Sequence, residues 1–178
     1  TLAELLGSED YLNLLDRLHA ASERPPLLPA PDGRGDGSGT PASKALPPLV
    51  YEQWKTLRRR VRKAGKHPSD ARLHRIRIGA KQLRYAAELS EPVVGKPARR
   101  TAAAAEGLQD LLGDHHDMVT AQAWLRATGR AVNAEPAAAF ASGLLAAEQQ
   151  RCAADLRHEW RAAWGKVKKK KRRRWMVT

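Results

Sequence analysis

Apolar residues recur along most of this chain at spacings of three and four, the repeat of an α-helix with one buried stripe. The first such run is Leu2, Leu5, Leu6, Tyr11, Leu12, Leu14, Leu15 and Leu18. It predicts a short amphipathic helix within residues 1–23, broken near Gly7–Ser8. Residues 24–48, RPPLLPAPDGRGDGSGTPASKALPP, are dense in Pro, Gly and Ser and read as a flexible linker that buries no core. From Leu49 to about Gly65, Val50, Trp54, Leu57 and Val61 mark one helix face, with Lys55, Arg58, Arg59 and Arg62 beside it. HPSDARLH restarts the chain, with Ser69 or Asp70 suited to cap the next helix, and SEPVVGKP predicts its break.

Two longer helices follow, over about Ala98–Leu125, with a kink expected at Gly113, and Glu135–Trp164, with Pro136 in its first turn. Phe140, Leu144, Leu145, Leu156, Trp160 and Trp164 are the expected core positions of the last. No stretch alternates as a strand does, β-branched residues are few and alanine is abundant. The fold class expected is therefore all-α, an antiparallel four-helix bundle over residues 49–165. The N-terminal helix lies apart from it, and a basic tail at 166–178 is expected to be disordered.

The helix that starts near Asp70 carries the most distinctive pattern. Leu73, Ile76, Ala80, Leu83 and Ala87 form its apolar face. His74, Arg77, Lys81, Arg84 and Tyr85 fill the adjoining arc with Glu88, which leaves Arg75, Gly79, Gln82 and Ala86 for the solvent side. Like charges three and four residues apart repel along a helix. A basic arc touching the core stripe therefore asks for an anion to offset it.

Charge places that request in a wider pattern. The net charge is +13, from 32 Lys and Arg against 19 Asp and Glu. By segment it is −3 over residues 1–46, +11 over 47–100, −3 over 101–165 and +8 over 166–178. Two basic blocks in a mildly acidic frame point to a localised anion site, with nucleic acid, an anionic surface or another polyanion as candidate partners. The lone cysteine, Cys152, excludes an internal disulfide, fits a reducing compartment and is expected to be buried as a small apolar residue. No apolar run reaches membrane-spanning length and no signal-peptide pattern is present, so the expected location is the cytoplasm. A first residue of Thr1 rather than Met suggests a fragment or a processed chain.

Other chemistry finds little support. GDHHDM, residues 113–118, offers His115, His116 and Asp117 as ligands, but adjacent helical side chains diverge and the four-residue spacing of H-E-x-x-H is missing. His115 falls on the face of Leu108, Leu111, Leu112 and Val119 and reads as a packed core histidine. Asp110, Asp114 and Asp117 share another face, to pair with arginines of a neighbouring helix or to stay solvated. Phosphate-cradling loops and nucleophile elbows are absent, and the basic block from Leu49 to Arg100 supplies only Glu52, Asp70, Glu88 and Glu91, without a repeated spacing to cage magnesium. No metal, no cofactor and no catalytic residue is expected.

LHRIRIGAKQLRYAAEL (residues 73–89) and LQDLLGDHHDMVTA (residues 108–121) resemble the second half of a CHAD domain, the conserved histidine α-helical domain. That resemblance, drawn over residues 49–175, implies paired four-helix bundles that bind inorganic polyphosphate through basic side chains. The positions that match its motif are His74, Arg77, Lys81, Arg84 and Tyr85. Arg58 and Arg62 of RRRVRK, and Lys96, Arg99 and Arg100 of GKPARR, resemble the supporting basic segments. The helix at residues 2–22 looks like the closing helix of a first half whose own motif this chain lacks. CHAD domains often follow a CYTH triphosphatase domain; no trace of one appears, and any catalysis would belong there. The resemblance implies a non-catalytic polyphosphate-binding protein, associated with polyphosphate granules. A basic helical protein binding RNA, or nucleic acid non-specifically, is the alternative.

Overall fold

The computed structural model describes residues 2–23, 40–131 and 135–177, and every regular element among them is helical. The chain divides into two units, residues 1–41 and 42–178. The first holds α1 (Leu2–Leu6) and α2 (Glu9–Glu23). They break where Gly7–Ser8 predicted, and Ser8 Oγ accepts from the Tyr11 N–H at 3.3 Å to cap α2. The leucines of α1 and α2 close no core of their own.

The second unit contains α3 (Ala42–Ala64), α4 (Asp70–Val94), α5 (Lys96–Gly129), α6 (Pro136–Val167), α7 (Lys170–Arg173) and a 3-10 turn at Arg174–Val177. Most of the linker expected at 24–48 lies outside the described residues. Its last part is helix: α3 starts at Ala42, not Leu49, and takes Pro47 and Pro48 into its second turn. Proline removes one backbone bond at each position, while Pro47 and Val50 are buried there. The break expected over SEPVVGKP contracts in the same way. Helix α4 runs through Pro92 to Val94, and Gly95 alone turns the chain into α5. Gly95 at φ 74° and Gly65 at φ 75° occupy the left-handed region that glycine adopts without strain.

The core forms where the helical stripes meet. All five expected positions on α4 are buried, against Val50, Trp54 and Leu57 of α3 and Ala105, Leu108 and Leu112 of α5. Gly79, expected on the solvent side, is buried. A β-carbon there would sit 2.9 Å from Arg60 Nη1 and 3.1 Å from Leu57 Cδ1. Arg60 crosses this point and donates to the Arg75 carbonyl at 3.2 Å and to Gln82 Oε1 at 3.1 Å. Of the arc assigned to water, Gly79 is thus where α3 packs on α4 and Ala86 is half-buried, while Arg75 and Gln82 are exposed as expected.

Trp160 and Trp164 are buried and Leu156 is half-buried, but Phe140, Leu144 and Leu145 are exposed rather than core. Length decides this. Helices α5 and α6 have 34 and 32 residues against 23 and 25 for α3 and α4, so their far ends form a hairpin beyond the other two. There they hold mainly each other, through Gln122 and Arg126 on Gln150. Cys152 on this hairpin is half-buried. Nearer the core, Arg157 and Arg161 of α6 hydrogen-bond the carbonyls of Pro68 and of Gly65 and Lys66, so α6 satisfies the turn between α3 and α4.

The tail is not disordered. Val167 and Met176 are buried in the main core, with Trp175 packed against it. Thr101 Oγ1 donates to the Arg172 carbonyl at 2.8 Å and accepts from Trp175 Nε1 at 3.1 Å. The cations outnumber these apolar anchors in the sequence, but the anchors determine where the segment goes.

Candidate functional site

The order α3–α4–α5–α6 sets two seams on opposite sides of the second unit. One lies between α4 and α5, and the other between α3 and the end of α6 with the returning tail. The basic arc of α4 faces the first. His74, Arg77, Lys81 and Arg84 recur every three or four residues and span about 15 Å at 1.5 Å per residue. Their neighbours across the seam come from α5: His116, Gly113 and Glu106.

Each member has a distinct setting. The His74 and His116 rings lie 4.4 Å apart between centroids, tilted at 43°. Burial, then His116 and Arg77, hold the His74 pKa below its ordinary value, and its Nδ1 has no hydrogen-bond partner among the described residues. Arg77 is half-buried, with its Nε 3.4 Å from where a Gly113 β-carbon would stand. Glycine at 113 leaves the guanidinium room, and α5 continues through this position as helix. Neither Arg77 nor Lys81 has a carboxylate partner among the described residues. Arg84 does: Glu88 at 3.3 Å and Glu106 at 3.5 Å. Tyr85 is exposed, with Lys81 and Arg84 both over its ring. The seam thus gathers all five motif positions, and its unpaired charge resides on Arg77 and Lys81.

The supporting residues lie elsewhere. Arg58 and Arg62 line a concavity of about 420 Å³ at the opposite seam, with Trp54, Trp164, Lys168 and Arg173. Arg100 joins Lys171 and Arg172 near the α5 N-terminus, Arg99 pairs with Glu91 at 3.6 Å, and Lys96 is exposed as the first residue of α5. The ten expected positions therefore form three separate groups.

His115 is buried, as its place on the apolar face predicts, with Nε2 3.4 Å from Asp70 Oδ1. Burial and Arg157 lower its pKa against the opposing pull of Asp70. Asp70 itself is engaged by Arg157. Among the described residues no cluster of His, Cys, Asp and Glu has the form of a metal site, and no helix is long and apolar enough to cross a membrane. Sequence reasoning missed Arg60, Lys168 and Arg173, and gave Gly113 and His116 other roles than facing the basic arc. Isolated glycines inside a helical pattern were the available signal, since they mark close approach.

A family model described as the CHAD domain matches residues 1–126, which takes in the whole α4–α5 seam and leaves α6 and the tail outside. Two curated relatives are uncharacterized proteins of Mycobacterium tuberculosis, from strains CDC 1551 and H37Rv. Each is 33% identical over 165 residues, covering 92% of this chain and 30% of its own length. The chain therefore spans under a third of these relatives. No solved structure matches it.

Proposed function

The chain belongs to the CHAD domain family, and from that premise we propose that it binds inorganic polyphosphate along the α4–α5 seam, without catalysing a reaction on it. The observation that carries this reading is the pair Arg77 and Lys81: adjacent, on one rigid helix, and without carboxylate partners among the described residues. An arginine fork takes two phosphate oxygens at once and a lysine acts as a compact point charge. Helical spacing lets a flexible phosphate chain meet them in succession. His74 adds a donor that strengthens when protonated.

RNA is the second reading, and the aromatic supply argues against it. Tyr85 is the seam's aromatic from the motif, and two cations already lie over its ring, so base stacking has little to use. A non-catalytic reading is supported by Glu88 and Glu106, the carboxylates paired with Arg84, and by the lack of a metal-ligating cluster among the described residues. The reading goes with a cytoplasmic protein associated with polyphosphate granules.

A competition titration tests it. Polyphosphate is expected to displace RNA at matched phosphate concentration. Lys81→Glu and Arg77→Glu should each weaken polyphosphate binding about tenfold or more, the scale of a lost charge-assisted hydrogen bond. Lys44→Glu, matched in charge but at the exposed start of α3, should cost little. Equal losses in all three variants sink the assignment. So does magnesium-dependent phosphate release by the chain itself.

A further inference from the structure

We infer that the opposite seam is a second oxyanion site, closed by the C-terminal segment, and that it takes a short phosphate chain independently of α4–α5. Four cations from three elements converge there: Arg58 and Arg62 of α3, Lys168 after α6, and Arg173 of α7. They surround a concavity of about 420 Å³ backed by Trp54 and Trp164. None of the four has a carboxylate partner among the described residues. Arg58 and Arg173 instead lie over the one Trp54 ring, at 5.5 and 4.6 Å from its centroid. Both guanidiniums are thus tethered to one indole at the edge of the concavity. An anion seated there meets the two together and offsets their like charge.

A second observation concerns the residue that backs the concavity. Trp54 Nε1 is buried and has no hydrogen-bond acceptor among the described residues. A buried indole N–H ordinarily finds a partner. The chemistry of the lining selects the ligand. Planar guanidinium forks match phosphoryl oxygens, and the buried indoles, with cations over Trp54, leave no face for a base to stack on. A nucleobase therefore gains nothing here, and a compact phosphate chain gains the full set of charges.

The site also has a built-in consequence. Lys168 and Arg173 arrive only because Val167, Trp175 and Met176 anchor the returning segment. Occupancy must therefore hold that segment in place, since a ligand that binds the docked form alone stabilises it.

The test uses the full chain and inorganic tripolyphosphate, a probe shorter than the bundle is wide, by calorimetry at fixed ionic strength. The wild type should bind two per chain. Arg58→Gln/Arg62→Gln changes exposed residues and should remove one site, while Arg77→Gln/Lys81→Gln should remove the other. Saturating tripolyphosphate should slow trypsin cleavage over residues 168–174 in the wild type, and not in Arg58→Gln/Arg62→Gln. One site per chain, lost with Arg77→Gln/Lys81→Gln and kept in Arg58→Gln/Arg62→Gln, overturns this inference and leaves the α4–α5 reading standing. One site with the reverse pattern supports it and sinks the α4–α5 reading.

Discussion

His74 carries the pH behaviour at the scale of single residues. In the folded, unliganded chain it faces His116 and Arg77, and burial with these neighbours favours its neutral form. His115, facing Asp70, Arg157 and His116, is shifted the same way. Both folded values lie below the unfolded value of about 6.5, so the unfolded chain takes up protons first as pH falls. Stability from these two groups is therefore present above about pH 6.5 and declines below it, toward their lowered folded values. Phosphate works in the opposite direction, because a bound anion favours the imidazolium. Polyphosphate affinity should rise as pH falls from about 8 to about 6, and His74→Asn should flatten that rise. Thermal unfolding and binding titrations across this range measure both trends. Affinity that falls toward pH 6 in the wild type removes His74 from the site.

At the scale of elements, the glycines inside the helices separate two uses of one residue. Gly107 of α5 is exposed, with nothing within 4 Å of a β-carbon built there. Gly107→Ala should stabilise by up to about 1 kcal/mol, the helix-propensity difference. Gly79 has Leu57 Cδ1 at 3.1 Å and Arg60 on top of it. Gly79→Ala gains the same propensity but forces α3 away from α4, and overpacking of this kind costs about 1–3 kcal/mol. Denaturant unfolding should show a net loss for Gly79→Ala and a gain for Gly107→Ala. A gain at both contradicts a tight α3–α4 contact at Gly79.

At the scale of the whole molecule, the uneven charge and the docked tail make separable contributions. Binding to a polyanion should weaken steeply with salt, since each neutralised phosphate releases counterions. Changing Lys168, Lys169, Lys170 and Lys171 to Gln together should flatten that slope while leaving the melting temperature near the wild-type value, because all four are exposed. Truncation after Val167 should flatten it too, but should also lower stability by a few kcal/mol. It removes buried Met176 and the Trp175 contact with Thr101. A truncated chain as stable as the wild type contradicts the docked tail.

The sequence by itself determined what short-range periodicity encodes. The apolar stripe Leu73, Ile76, Ala80, Leu83 and Ala87 is the buried face of α4. The break at Gly7–Ser8, the start of α6 at Pro136 and the packing of His115 follow from local rules in the same way. The five motif residues share one seam because a helix repeats every 3.6 residues whatever it packs against. Tertiary structure alone decided the rest. Phe140, Leu144 and Leu145 have core spacing, yet stay exposed because no α3 or α4 reaches so far along the α5–α6 hairpin. Gly79 is buried because α3 crosses there, and its own helix holds no record of that. Arg58 and Arg62 lie at the opposite seam from Arg77, beside a tail whose three apolar anchors outweigh the repulsion of its cations. Periodicity fixes which face of each helix is apolar; which neighbour covers that face, and for how much of its length, depends on contacts between residues far apart in the chain.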